Sequence, residues 1–488
     1  MKKPGISFSI LVVLAAILLT TRCAVNPVTG KTQIMLMSEA QEIQMGKDYD
    51  PQVISTFGEY KDDAMLNFIK TKGAEMGKIS HRPNLVYNFR VLDSPVVNAF
   101  AVPGGYIYVT RGILAQLNNE AELMGILGHE MGHVTARHTV SQQTKQQIAQ
   151  LALMGGMIAS KKFAQYAEQA MQGMQLLFLR FSRDDEREAD RLGVQYMSLI
   201  GYDAHRMADF FQVLNKMSMA ESQGGVPTFL STHPDPGDRY NTVNQNATKW
   251  QDSLKLPEYK VNETSYLKLI DGIIFGDDPR QGYTENNVFY HPELKLRFTY
   301  PAGWLFQNSP IQVAMAPQDQ KAMIVFSMAQ QKTPDEASQV AIKELGLTLV
   351  ESKNITVEGM PALAVTCNQV TQDQSTGQQS ANQVLSYYIN YDGKVYVFHG
   401  VAGAADFAAY KPGFESTMAS FAKLTDPAKI NVKPKKIIVK TVQKAGTLSE
   451  VFASYNVPQK MMSELALLND LELTSKIPVG KMIKVVGE

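Results

Sequence analysis

Glu122-Leu123-Met124-Gly125-Ile126-Leu127-Gly128-His129-Glu130-Met131-Gly132-His133-Val134 sets the reading of the whole chain. Leu123, Ile126, Leu127 and Val134 recur at helical spacing, and Glu120 and Glu122 suit the positive end of a helix running from about Asn119 to His138. Residues four apart on a helix share a face, with Cβ atoms roughly 5 to 6 Å apart, so His129 and His133 converge on one point. Two imidazoles with a glutamate between them, His-Glu-x-x-His, suit a zinc ion held at roughly 2.0 to 2.1 Å, with Glu130 beside it as a general base.

Two histidines do not complete a catalytic zinc shell, which takes three protein ligands and leaves one place open. The third is sought in Ser182-Arg183-Asp184-Asp185-Glu186-Arg187-Glu188-Ala189-Asp190, read as the start of a second helix ending near Ile200 before Gly201. Glu186 and Asp190 share one face of it and Glu188 points roughly the opposite way. Glu186 then ligates, while Asp190 orients a ligand histidine through its other ring nitrogen. The alternative is a charged surface helix in which Arg187 pairs with neighbouring acids.

Upstream, Asn98-Ala99-Phe100-Ala101-Val102-Pro103-Gly104-Gly105-Tyr106-Ile107-Tyr108-Val109 is two apolar runs joined by Pro-Gly-Gly, a hairpin signal. Its edge at Asn98, Ala99 and Phe100 suits an extended substrate added as a further strand, and equally suits plain packing within the sheet. Helices are expected at Ser38 to Lys47 and Ala64 to Ile79, and a strand at Val86 to Val91.

Three segments in this order, NAFAVPGGYIYVTRGIL, ELMGILGHEMGHVTARH and FSRDDEREAD, resemble metallopeptidase family forty-eight, in particular its BepA-like and LoiP-like envelope members. The resemblance spans roughly Asn26 to Gln245. It implies a mainly α gluzincin peptidase domain with a small β-sheet, one Zn2+ per chain on His129, His133 and Glu186, Glu130 as general base, and Asp190 in support. The loop Thr232-His233-Pro234-Asp235-Pro236-Gly237-Asp238-Arg239 matches a family loop whose histidine can fill the open zinc position and keep the enzyme latent. This implies a latency role for His233 and a place near the site for Arg239. His138 lies five residues beyond His133, turns away on a continuous helix, and is read as structural.

At 488 residues the chain exceeds one domain of roughly 100 to 200 residues. Charged residues are 19% and hydrophobic ones 44%, ordinary for folded globular protein. Lys+Arg and Asp+Glu are both 47, so no global positive field exists to attract nucleic acid. Lys2 and Lys3 precede an apolar run from Ile6 to Leu19, shorter than the ~20 residues of a comfortable membrane span. Residues 1–22 are therefore expected to be an export signal, with an uncleaved anchor as the alternative. Cys23 follows as in a lipoprotein, although Arg22 stands where a small residue is usual, so an incidental Cys23 stays open. Cys367 would then have no partner and is expected in a core.

A Met-rich stretch from Gln142 to Arg180, with Met154, Met157, Met171 and Met174, reads as a helix contact or as an adaptable surface for a client or membrane. The peptidase domain is placed at 23–256, a connector at 257–288, an α+β domain at 289–425, a linker at 426–440 and a last module at 441–488. The opening Leu294 to Trp304 resembles PsbP-like domains, and Gly446-Thr447-Leu448 with Pro478-Val479-Gly480 resembles a βααβ LysM module. The second likeness implies peptidoglycan as a partner, beside a purely structural role. The expectation is a periplasmic, lipid-attached zinc endopeptidase acting on unfolded or misassembled envelope proteins. A chaperone or assembly factor with little hydrolysis and a peptidoglycan-binding protein are the alternatives.

Overall fold

The computed structural model describes residues 23–153, 181–220, 228–234, 238–372 and 379–488. Residues 1–22, expected to be an export signal, the four methionines 154, 157, 171 and 174, and Asp235 to Gly237 lie outside the described residues. Among the described residues, no helix is long and apolar enough to cross a membrane.

A short hairpin, β1 (Cys23–Val25) with β2 (Thr32–Ile34), opens the fold. Then come α1 (Glu39–Phe57) and α2 (Asp63–Ile79), each with a side-chain cap: Ser38 in a capping box with Gln41, and Asp62. A three-stranded sheet follows, β3 (Asn88–Leu92), β4 (Ala99–Val102) and β5 (Tyr106–Thr110), in the order β3-β5-β4, with β3 parallel and β4 antiparallel to β5. The hairpin is as expected: Gly104 and Gly105 take φ of 81° and 89°, which a β-carbon would strain.

After α3 (Arg111–Gln116) comes the motif helix α4 (Glu120–Thr135), capped by Asn119 and buried at every position. It is the central rod of the domain. Around it lie α5 (His138–Leu153), α6 (Arg183–Leu199), α7 (His205–Ala220), the single turn α8 (Thr228–Thr232), α9 (Arg239–Leu254) and α10 (Glu263–Ile270).

The α+β region opens with β6 (Tyr283–Glu285), β7 (Val288–His291), β8 (Leu296–Thr299), β9 (Leu305–Asn308), β10 (Gln312–Ala316) and β11 (Ala322–Ala329). It continues through α11 (Pro334–Glu344), β12 (Thr348–Val357), β13 (Met360–Gln372), β14 (Gln379–Tyr391), β15 (Lys394–Gly403), α12 (Phe407–Ala419) and β16 (Ala422–Lys423). Seven strands form one antiparallel sheet, β12-β13-β14-β15-β11-β10-β9, and β16-β8-β7-β6 form a second. Ala337 of α11 packs on one face of the large sheet with Val365, Val384 and Val397, and Cys367 lies in that core, 2% exposed. Phe414 and Met418 of α12 pack on the other face, with Phe298 and Phe398.

The expected linker 426–440 holds two elements: α13 (Pro427–Ile430) and β17 (Lys436–Thr441). β18 (Gly446–Thr447), α14 (Leu448–Ser454), α15 (Gln459–Leu468), β19 (Lys476–Ile477) and β20 (Met482–Gly487) complete a βααβ unit, with β17 antiparallel to β20. The linker reading fails because Ile437 is fully buried in a core shared with the peptidase helices, as are Phe452, Leu465 and Ile483. The C-terminal unit therefore continues the peptidase core. Lys484 sits in this junction with no exposed surface, and its side-chain nitrogen donates to the carbonyls of Ala115, Gln116 and Leu117 at 2.9, 3.0 and 3.0 Å, at the C-terminal end of α3.

Candidate metal centre

Backbones come close where small residues allow it. Gly128 and Gly132 of α4 face Gly193 and Ala189 of α6, so closely that a β-carbon built on either glycine stands 3.0 Å from the opposite Cα. This crossing brings the first turns of α6 beside the histidines. Ser182 starts α6 in a capping box with Asp185, which fixes where that helix begins and hence where residue 186 points.

The site gathers four side chains, His129, His133, Glu186 and His233, all buried, with ligand atoms all within 4.8 Å of one another. His129 Nε2 lies 3.1 Å from His133 Nε2 and 3.2 Å from His233 Nδ1. Glu186 Oε1 is 3.0 Å from His233 Nδ1 and 3.5 Å from His133 Nε2, and its Oε2 is 3.5 Å from His129 Nε2. Four ligands at zinc distances on a tetrahedron stand about 3.3 to 3.4 Å apart. The five spacings, drawn through both Glu186 oxygens, bracket that value, and the four side chains could hold a metal ion.

Tautomers agree with this. His129 Nδ1 donates to Asp190 Oδ1 at 2.9 Å, which leaves the Nε2 lone pair facing the cluster. Asp190 also accepts from Arg239 Nη2 at 2.7 Å, and the same nitrogen is 3.4 Å from Glu186 Oε2. The guanidinium lies 3.7 Å over the Phe211 ring. Phe181 stacks on His133 at 3.9 Å and Phe229 on His233 at 4.5 Å, so aromatic faces exclude water around the polar atoms.

Burial and charge pull the titrations apart. Burial pulls His129 down, but its hydrogen bonds to Asp190 and Glu186 push it up to about 9. Burial, reinforced by the neighbouring His129, holds His133 well below the ordinary imidazole value. Burial raises Glu186, yet His233 and His129 outweigh it and hold the carboxyl well below its usual range. Burial raises Glu130. Among the described residues, neither Glu130 oxygen accepts a hydrogen bond, and His233 Nε2 makes none while standing 3.6 Å from Glu130 Oε1.

Sequence reasoning named each of His129, Glu130, His133, Glu186, Asp190, His233 and Arg239, and the fold brings all seven together. Asn98, Ala99 and Phe100 lie on β4 and its approach, at 0%, 0% and 4% exposure. The edge is covered in this state. Part of the cover is the turn 228–232, since Phe229 N–H donates to Val97 O and Thr232 Oγ1 to Asn98 Oδ1. His138 corrects the sequence reading. It does not turn away: its Nδ1 is 2.9 Å from His133 Nδ1. The signal missed was Ala136-Arg137, where the helix breaks.

Residues 66–247 match the family model described as peptidase family M48. The beta-barrel assembly-enhancing protease of Yersinia pestis is 28% identical over 231 residues, 46% of this chain and 47% of that protein. A mitochondrial metalloendopeptidase OMA1 of Arabidopsis thaliana is 33% identical over 173 residues, 34% of this chain and 33% of that protein. The chain spans about half the length of the first of these relatives. Among solved structures, cyanobacterial PsbP from Synechocystis sp. PCC 6803 is 13% identical, with a TM-score of 0.23 over 28% of this chain and 91% of that one. With the motif helix, the carboxylate of Glu186 and their shared cluster all inside the matched span, residues 66–247 belong to peptidase family M48.

Proposed function

We propose that this chain is a zinc-dependent endopeptidase of the bacterial cell envelope, and that the structure is its latent form. The observation that carries the reading is the four-residue buried cluster, with ligand atoms all within 4.8 Å of one another, beside a buried glutamate whose two oxygens have no hydrogen-bond donor among the described residues. His129, His133 and Glu186 would hold one zinc ion. When bound, zinc supplies a Lewis acid that lowers the pKa of a coordinated water to about 7.

The chain's own residues supply the rest. Glu130, raised by burial, is suited to take the proton of the attacking water and deliver it to the leaving amine. Asp190 keeps His129 in the ligating tautomer and anchors Arg239, whose positive charge lies beside the reacting region. His233 presents Nδ1 to the cluster and Nε2 to Glu130, so one ring occupies both the fourth ligand place and the space a water would share with the base. Opening α8 would vacate that place and uncover the start of β4 together. Peptide could then add alongside Asn98 to Phe100.

The Yersinia relative is named for enhancing β-barrel assembly. We carry over misassembled envelope proteins as the substrate class, and the periplasm as the place. Attachment through a lipid on Cys23 fits a chain whose Asn26, three residues on, already donates to Ala136 O at the end of α4. The test is Glu130→Gln with zinc occupancy measured alongside: cleavage of an unfolded protein such as casein should be lost with zinc retained. Full cleavage by the zinc-loaded variant would sink the assignment.

A further inference from the structure

We propose that His138, anchored by Glu188, is a positioning residue that holds the ring of His133 for metal ligation; the inference rests on the zinc site proposed above. On a continuous helix a residue five positions on is rotated far from its partner. Here α4 stops at Thr135, and Arg137 adopts φ of 58°, unusual for a residue with a β-carbon. That conformation is held from outside: Arg137 Nε donates to buried Glu42 Oε2 at 2.8 Å and its Nη2 to Met37 O at 3.1 Å. The chain reverses, α5 begins at His138, and this imidazole, 4% exposed, comes to rest on His133.

Hydrogen-bond logic then assigns the protons. His138 Nε2 faces Glu188 Oε2 at 3.2 Å and Asp185 Oδ1 at 3.7 Å, so that nitrogen carries the proton and donates. His138 Nδ1 is left as an acceptor. The only donor in reach on His133 is its Nδ1–H, at 2.9 Å, and His133 Nε2 must then present its lone pair to the cluster. Phe181 stacked on His133 fixes the plane of the ring. Glu186, Glu188 and Asp190, alternate residues of one helix, would thus address the centre in three ways: as ligand, through His138 to His133, and directly to His129.

The experiment is zinc competition against a chromophoric chelator on the full chain, with the melting temperature of the metal-free protein measured in parallel. His138→Leu keeps volume and removes the acceptor, and should weaken zinc binding about 10- to 100-fold. His138→Gln, whose amide oxygen can accept from His133 Nδ1–H, should recover most of that loss while the metal-free melting temperatures of the two variants agree. Zinc affinity of His138→Leu within twofold of wild type would overturn the proposal, as would a glutamine variant no better than the leucine one. Should His138→Leu fail to fold, Glu188→Ala decides: its side chain is 24% exposed, a several-fold loss of zinc affinity is expected, and unchanged affinity overturns the relay. A wild-type chain that binds no zinc defeats the metal site itself, whereas a zinc-binding wild type with indifferent variants defeats only the relay.

Discussion

Replacing His233 by alanine should turn the latent form into an active one, and the structure bounds the size of the effect. Two contacts of the ring can be costed without any metal. The hydrogen bond of Nδ1 to the Glu186 carboxylate, at 3.0 Å, is of the charged kind that contributes about 1.5 to 3 kcal/mol. The stack on Phe229, with centroids 4.5 Å apart, contributes about 0.5 to 1.5 kcal/mol. At 1.4 kcal/mol per factor of ten, together they favour the latched state by about 30- to 2,000-fold. A protein whose competent state is populated at that reciprocal fraction shows its activity reduced in proportion. Bonding of Nδ1 to metal would take the place of its hydrogen bond to Glu186, so the range gives the scale of the effect and not a floor. The assay is initial-rate cleavage of fluorescent casein by zinc-loaded full-length protein, with metal content determined on the same samples. His233→Ala should retain zinc on its three remaining ligands and cleave faster, by a factor on the order of 30. Adding Glu130→Gln should abolish the gain. A zinc-loaded His233→Ala protein that cleaves no faster than wild type would refute the reasoning, because the imidazole would then be a spectator of the fourth position.

Asp190→Asn removes the charge that both His129 and Arg239 use, and should lower zinc affinity about 10- to 100-fold in the chelator competition. Lys484→Met leaves three carbonyls without their buried donor and Glu122 without its facing charge, and should cost about 2 to 4 kcal/mol in urea unfolding of the whole chain. A loss below about 0.5 kcal/mol would show that the C-terminal unit is not braced there. Burial brings His399, bonded to Ser386 Oγ, down to about 4. Between pH 6.5 and about 4 the unfolded chain then binds a proton that the folded one refuses. Stability is full above pH 6.5 and falls on acidification by up to about 1.4 kcal/mol per pH unit, and His399→Gln should flatten that slope. NMR titration of the His399 ring near pH 6.5 would count against this.

What could be read from the sequence follows from how local the responsible physics is. The motif helix was legible because capping, apolar period and histidine spacing all lie within twenty residues or so. Glu186 was legible as a candidate, but its approach depends on Gly128 and Gly132 meeting Ala189 and Gly193, a contact between surfaces far apart in the chain. His138 was misread because a helix was extended through Arg137, and what breaks it is a buried ion pair to Glu42, ninety-five positions upstream. The linker reading of 426–440 failed for a like reason. Pro427, Pro434 and the basic run from Lys433 to Lys436 look solvated, and only the tertiary pairing of β17 with β20 shows Ile437 to be core.

These long-range contacts decide which part of the site is able to move. The motif helix is held at both ends: Glu120 accepts from Tyr202, Asn262 and Ser265 at its start, while Arg82 and Asn26 donate to the carbonyls of Val134 and Ala136 at its finish. The C-terminal unit adds Lys484 against the segment just before it. Helix α6 lies on α4 at backbone distance, so Glu186 cannot shift without separating the pair. By contrast, α8 is a single turn joined to the sheet by Phe229 N–H to Val97 O and one long Thr232 contact. Three ligands are thus borne by long, clamped helices and the fourth follows a single turn, which is buried at Phe229 and Thr232 and also bonded through Phe181 N–H to Thr232 O and Arg239 to His233 O. Activation by any client or partner should therefore act through residues 228–234 rather than through the motif helix. Tightening that turn with a disulfide to β4 should suppress cleavage without lowering zinc affinity, and reduction should restore it; cleavage unaffected by the closed disulfide would place the moving part elsewhere.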